Sequence, residues 1–345
     1  MLHEPEYPFY ILNEKETAIA RHRVLRLLLR KSRATLIFPI GLFIEGVECE
    51  DTEPVVCGGF SDIFIGVYQG TDVALKRLRV FQRDHDEEKS FHKLCYEALV
   101  WKHLQHKHIL PFLGVDQTTF SRSSCLVSPW MNRGNIRGCI KQMLIDGVQV
   151  PSTRWLLEIA SGLSYLHSLS VIHRDLRGAN IFVTEEYAIQ IADLGLSAFG
   201  DSTSTSIGSR ECGAVRWLAP EILSGSKHTR MSDIYAYGCV WIEVVAGKSP
   251  FSDIAMEPQV TAQLMAGISP RCPSRVDSSI DLRDWKFIQQ CWSRNPFRRP
   301  SAQSLVEACD NIMNKKSQLA PRLLEGTATH TFDKSTKQQK LNGWL

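Results

Sequence analysis

An aspartate, an asparagine and a second aspartate stand at positions 175, 180 and 193, the first two inside the run V-I-H-R-D-L-R-G-A-N-I-F-V of Val171–Val183. That spacing lets one loop orient a hydroxyl nucleophile while an adjoining strand end holds metal-bound phosphates. In such chemistry Asp175 accepts or orients the proton of the attacking hydroxyl. Asn180 and Asp193 offer oxygen ligands suited to Mg2+, a hard cation that keeps phosphates and waters in its shell. A short H-R-D match can arise by chance, but flanking apolar residues and a second carboxylate at a matching offset argue against chance here.

Phosphate chemistry also needs a fixed cation and elements that hold it. Gln69–Arg77 reads Q-G-T-D-V-A-L-K-R, a turn followed by the alternation of a strand. Lys76 ends it as a point charge able to reach phosphates, and Ala74 is small enough to roof a purine. A carboxylate partner for Lys76 is available at Glu97. It lies in Phe91–His106, where Leu94, Leu99, Val100, Trp101 and Leu104 lean toward helical spacing. Downstream come Ala219-Pro220-Glu221, Asp233 in M-S-D-I-Y-A-Y-G, and Arg299 in C-W-S-R-N-P-F-R-R-P. Each alone has an ordinary reading, since a Lys–Glu pair is usually a surface ion pair of small worth. Their order along the chain is what carries the argument.

In that order the chain from about Glu53 to Asn311 resembles the eukaryotic protein kinases, and among them the tyrosine-kinase-like group. The phrases H-I-L-P-F-L-G-V, C-L-V-S-P-W-M, I-A-S-G-L-S-Y-L-H and R-W-L-A-P-E, with L-F-I-E-G-V ahead of them, are similar to kinases of mushroom-forming fungi. The resemblance implies an α+β, two-lobed fold with ATP and Mg2+ between a small β-rich lobe and a larger helical one. It implies catalytic roles for Lys76, Glu97, Asp175 and Arg177, and metal ligation by Asn180 and Asp193. Nucleotide contacts are implied at Val56, Cys57, Gly58, Gly59, Phe60, Ser61, Ile63, Ala74, Lys76, Ser128, Met131 and Phe182. Glu221 is expected to pair with Arg299. Arg174 is expected to grip a phosphate on the segment that follows Asp193, where Ser202, Thr203, Ser204, Thr205, Ser206 and Ser209 are candidate acceptors.

The chain of 345 residues fits one two-lobed unit with tails. A net charge of +3 makes no case for nucleic acid or an acidic membrane. Ten cysteines without a C-x-x-C argue against zinc and a disulfide framework, and for reduced thiols in a cytoplasmic protein. The start, M-L-H-E-P-E, is acidic where a secretory signal is basic. The uncharged run Ala34–Ile44, interrupted by Pro39, is too short to span a bilayer.

Three regions are expected: an N-terminal extension over 1–52, a kinase domain over 53–312 divided at 130/131, and a polar, disordered tail over 313–345. The extension carries a basic amphipathic helix over Asn13–Arg33, with Val24, Leu25, Leu28 and Leu29 on one side. Such a helix can lie on a membrane or bind calmodulin. With no lipidation motif beside it, packing on the small lobe with a solvated basic face is favoured. Strands are expected over Val55–Lys76 and Leu110–Val127, a hinge over Pro129–Gly134, and helices over Trp155–His167 and Ile234–Ala246, the last buried. No internal repeat is apparent.

Several positions depart from the family pattern. Of the three glycines of the phosphate loop only Gly58 is present; Val56 and Ser61 hold the other two places and Gly59 is extra. Glycine lets backbone amides approach phosphate closely, so a lowered rate or affinity is expected rather than loss of either. Leu194 replaces the usual phenylalanine after the metal-binding aspartate. Phe182 and Ser128, the latter aligned with the gatekeeper, combine a bulky floor with a small rear wall, which opens a back pocket unless Trp101 or another aromatic fills it. Arg177 and Ala214 stand where serine/threonine kinases commonly have Lys and Thr, and Arg216-Trp217 looks closer to tyrosine kinases.

The fungal resemblance covers more of the chain and places serine/threonine activity ahead of tyrosine or dual specificity. A catalytically weak pseudokinase or scaffold is the rival class, supported only by the eroded glycine loop. A small-molecule kinase is disfavoured by A-P-E and the long Asp193–Glu221 segment, which imply a protein substrate. Oligomeric state is left open.

Overall fold

The computed structural model describes residues 14–51, 53–57, 61–78, 87–120, 123–194, 198–199, 214–271 and 282–319. Helix α1 (Glu14–Thr35) leads into the short strands β1 (Phe43–Ile44), β2 (Val47–Glu48) and β3 (Val56–Cys57) and the longer β4 (Ser61–Tyr68) and β5 (Thr71–Leu78). Helix α2 (Glu87–Lys102), β6 (Gly114–Phe120) and β7 (Ser123–Pro129) complete the small lobe. Its sheet runs β1-β6-β7-β5-β4-β2, with β3 on β4. Strands ahead of position 52 therefore belong to the small-lobe sheet: β1 pairs in parallel with β6, and β2 antiparallel with β4.

The period of two in β4 and β5 divides this sheet into two faces. Phe64, Val73, Leu75, Cys125 and Val127 are buried together on one, and Ile63, Ala74 and Trp130 cluster on the other. Register puts Ala74 opposite Ser128 and Lys76 opposite both Ile63 and Leu126. Lys76 therefore shares its face with Ala74. A slip of one residue would exchange Lys76 for the core residue Leu75, which the buried face forbids.

The large lobe holds α3 (Ile136–Ile145), α4 (Ser152–Ser168), β8 (Val171–Ile172), β9 (Ile181–Val183), β10 (Ile189–Ile191) and β11 (Ala198–Phe199). After them come α5 (Pro220–Leu223), α6 (Arg230–Ala246), α7 (Glu257–Met265), α8 (Leu282–Cys291) and α9 (Ala302–Leu319). Helix α9 thus runs beyond position 313, where the tail was expected to begin; 320–345 lie outside the described residues.

Helix α6 is buried along most of its length, as its near-continuous apolar sequence requires. A capping box of Thr229 and Ser232 starts it, and Gly247 ends it at φ 63°, a left-handed conformation that costs glycine little. It carries two buried carboxylates, Asp233 and Glu243, and both are spent on holding the loop between β8 and β9.

Candidate active site

The loop His173–Arg177 and the turn Gly178–Asn180 are fastened to α6 at two points. Asp233 accepts the backbone N–H groups of His173 (2.9 Å) and Arg174 (3.0 Å) and faces His167 Nε2 at 2.9 Å. Burial opposes its charge, but His167 and the backbone donors hold its carboxyl below the ordinary range. Glu243 accepts from the Gly178 N–H (2.8 Å) and Trp217 Nε1 (2.9 Å) and faces Arg137. Burial dominates there, pushing its carboxyl up to about 7. Gly178 is required by this contact, since a Cβ would lie 2.9 Å from Glu243 Oε1 and 2.8 Å from Arg137 Cγ.

Within the loop, the His173 ring links the two aspartates. Its Nδ1 accepts the Asp175 N–H (3.2 Å), which leaves Nε2 to donate to the Ala192 carbonyl (2.9 Å), one residue before Asp193. The Asp175 carboxylate is oriented by Arg177 Nε at 3.2 Å and Asn180 Nδ2 at 2.9 Å. Asn180 Nδ2 also donates to the Asp175 carbonyl (2.8 Å), so its Oδ1 is the atom left to accept or ligate. Arg174 (φ 75°) and Asp193 (φ 55°) both adopt left-handed backbone, sparsely populated outside glycine and concentrated at functional sites.

Across the cleft, Lys76 Nζ donates to Asp193 Oδ1 in an ion pair. Burial would raise the Asp193 carboxyl, but Lys76, with help from His173 and Arg177, holds it below the ordinary range. Glu97 is half-buried on α2. Its charge acts on Arg174, whose guanidinium burial pushes down while Asp233 and Glu97 support it. Arg174 Nε is buried without a hydrogen-bond partner among the described residues.

Beside these groups opens a cleft with about 770 Å3 of empty volume, open solvent at its mouth included. Val56, Ser61, Ile63, Ala74, Lys76, Ser128, Phe182, Asn180, Asp193 and Arg177 line it, all singled out from sequence. Trp101 lines it too, as the aromatic that the back wall called for. Its Nε1 donates to the Leu110 carbonyl (2.8 Å) and its ring stacks on Phe112 at 4.9 Å. Leu110, Leu126, Ala179 and Ala192 complete the lining, which sequence reasoning had missed. Cys57 is exposed on β3 and Met131 is buried in the main core; neither is among the lining side chains. Gly58, Gly59 and Phe60 lie outside the described residues, as do Ser202, Thr203, Ser204, Thr205, Ser206 and Ser209.

The expected pair at the end of the segment is present. Arg299 donates through Nη1 and Nη2 to the two oxygens of Glu221 at 2.6 and 2.7 Å, through Nη1 to the Met231 carbonyl (2.8 Å) and through Nε to the Ser293 carbonyl (2.9 Å). Arg216 binds the Phe251 and Ile254 carbonyls at 2.6 and 2.8 Å. Glu243 was missed as a positioning residue, although one signal pointed to it. A lone carboxylate inside an otherwise apolar helix must find partners when it is buried.

The sequence profile described as protein tyrosine and serine/threonine kinase matches residues 50–309. The chain is 25% identical over 262 residues to the serine/threonine-protein kinase STY17 of Arabidopsis thaliana, covering 76% of this chain and 44% of that one. It is 29% identical over 251 residues to the serine/threonine/tyrosine-protein kinase HT1 of the same plant, 72% of this chain and 62% of that one. The probable serine/threonine-protein kinase drkB of Dictyostelium discoideum is 27% identical over 263 residues, 75% of this chain and 36% of the relative. The chain thus spans less than two thirds of the length of each of these relatives.

Proposed function

Because the chain belongs to the protein tyrosine and serine/threonine kinase family, we propose that its cleft binds ATP with Mg2+ and transfers the terminal phosphate to a protein hydroxyl. The observation that carries this is the convergence of Lys76, Asn180 and Asp193 on the wall of one cleft, with Asp175 hydrogen-bonded to Asn180. Ile63, Ala74 and Phe182 supply the apolar slot for a purine. Lys76 and Asp193 hold each other at the phosphate end, Asp175 orients the incoming hydroxyl, and Arg177 and Asn180 fix the Asp175 rotamer.

The donor set fits the metal. Asn180 Oδ1 and the Asp193 carboxylate, kept ionised, are hard oxygen ligands. Among the described residues no group of three His, Cys, Asp or Glu side chains forms a self-sufficient site, and Mg2+ takes much of its shell from phosphate and water. When bound it neutralises charge on the phosphates. Glu97 is assigned to the catalytic set as the α2 carboxylate facing the loop, and Val56, Ser61 and Ser128 to the nucleotide.

Serine or threonine is the favoured acceptor, in line with the names of the relatives, all of which include serine/threonine; tyrosine remains the second reading, on Arg177 and Ala214. The domain is assigned to 53–312, with β1 and β2 ahead of it extending its small-lobe sheet, and the fungal likeness rests on its sequence phrases. Six of the eight described cysteines are buried, and the cytoplasmic setting is proposed on the cysteine spacing of the sequence. No helix among the described residues is long and apolar enough to cross a membrane.

The test is phosphate transfer from Mg-ATP to a peptide panel containing Ser, Thr or Tyr alone. Lys76→Met, Asp175→Asn and Asp193→Asn each lower the rate by at least about 100-fold while leaving thermal unfolding in place. Full activity of Asp193→Asn would refute the assignment.

A further inference from the structure

Helix α1 has two faces that differ in kind. Leu25, Leu29 and Ser32 are buried, and α1 packs against α2, as a supporting helix of the small lobe should. Leu27 lies two residues from both leucines, about 200° around a helix of 3.6 residues per turn, so it points away from that contact. It is 64% exposed. Around it Arg23, Arg26, Arg30 and Lys31 are exposed, and none of the four makes an ion pair among the described residues. The next segment, which leaves the helix through Leu36 at φ 58°, exposes Ile37 by 71% and Ile40 by 90%.

Five of the thirteen large apolar side chains exposed among the described residues fall in the short stretch Val24–Ile40. From Thr17 to Ile44 there is no Asp or Glu, against six Arg and Lys. A solvated basic face explains the cations, but not the bare Leu27, Ile37 and Ile40 among them. A partner recognised by charge alone leaves the same apolar atoms in water. Cations interleaved with exposed aliphatic side chains, on a helix whose other face is already packed, match a bilayer surface. There headgroup phosphates take the charge and the acyl boundary takes the apolar tips.

We propose that the outward face of α1, with the Leu36–Ile40 segment, is a docking surface for an anionic lipid membrane. The surface is peripheral and nothing in it crosses the bilayer. Sequence alone favoured packing on the small lobe with a solvated face; the exposure of Leu27, Ile37 and Ile40 is the observation that the proposal adds.

The experiment is co-sedimentation of the full chain with phosphatidylcholine vesicles, with and without phosphatidylserine as a third of the lipid. Binding is expected only to the anionic vesicles, weakening as salt is raised. The double variant Arg23→Glu, Arg30→Glu should lose roughly 25-fold in partition from the removal of two surface cations alone. Leu27→Ser should lose several-fold at unchanged charge, and both variants should keep the parent melting temperature because neither touches the packed face. Three results would overturn the proposal: no binding to anionic vesicles, equal binding to neutral ones, or binding unaffected by Leu27→Ser. Tight binding of calmodulin or polyglutamate without vesicle binding would also overturn it, since the surface would then serve an acidic protein.

Discussion

Arg299→Ala should be among the most damaging single changes outside the cleft. The Arg299 side chain is fully buried and its guanidinium serves four acceptors: both oxygens of Glu221 and the Met231 and Ser293 carbonyls. It also lies 5.2 Å from the centre of the Tyr235 ring. Removing it leaves a carboxylate that is only 17% exposed without its cation. Breaking a buried pair by deleting one partner costs roughly 3–5 kcal/mol. At about 2–4 °C per kcal/mol for a domain of this size, the melting temperature should fall by about 10 °C. Calorimetry of Arg299→Ala, Glu221→Ala and the double variant forms a cycle. If the pair is the main term, the double variant is less destabilised than the sum of the singles, with a coupling of at least about 1 kcal/mol. Arg299→Lys should recover little, because a point charge cannot replace the fork. An unchanged melting temperature in Arg299→Ala would refute the reasoning. A neutral Glu221→Ala, with no coupling in the cycle, would move the effect from Glu221 to the two carbonyls.

Glu243 should make stability depend on pH in an unusual direction. Its carboxyl is raised by burial from 4.5 to about 7, so the folded state holds a proton that the unfolded state releases. Its stability contribution is complete below pH 4.5 and is lost as pH rises through about 7, worth roughly 3 kcal/mol at most. Glu243→Gln should therefore flatten the decline in melting temperature between pH 5 and 8, and an identical pH profile would remove Glu243 as its source. Asp233 has the opposite sign, its lowered carboxyl contributing above the ordinary aspartate range and losing that contribution as the solution is acidified. Ala74→Leu, opposite Ser128 in the cleft, should raise the KM for ATP about tenfold or more, a loss of roughly 1.4 kcal/mol in binding; an unchanged KM would place the purine elsewhere. Replacing Ser202, Thr203, Ser204, Thr205, Ser206 and Ser209 together with Ala should lower the kinase rate and abolish its sensitivity to phosphatase. That is the outcome expected if the unpartnered Arg174 Nε awaits a phosphate there, and equal rates would leave Arg174 without that role.

Much of this was legible in the chain because the chemistry is concentrated in short runs. Asp175 and Asn180 sit five residues apart in one loop, and a loop that short brings them to one place whatever surrounds it. The alternation of β5 already put Ala74 and Lys76 on one face, since a strand has only two. Arg299 and Glu221 were readable for another reason: the resemblance supplied the pairing, and the structure placed their forks in register.

What the chain could not show by itself depends on atoms distant in sequence. Nothing local to Ile234–Ala246 says that Asp233 and Glu243 will hold the two ends of a loop some sixty residues earlier. That His173 donates to Ala192, joining the Asp175 loop to the residue before Asp193, likewise follows only once β8 and β10 have packed. The same limit applied to α1. Its cations and apolar residues predicted an amphipathic helix with Val24, Leu25, Leu28 and Leu29 on one side, and Leu25 and Leu29 are buried. That Val24 on the same side would stay 41% exposed was decided by the fit against α2, because one helix can turn only part of its circumference toward a neighbour. Periodicity determines that a side is apolar; the neighbour that covers it determines what remains exposed.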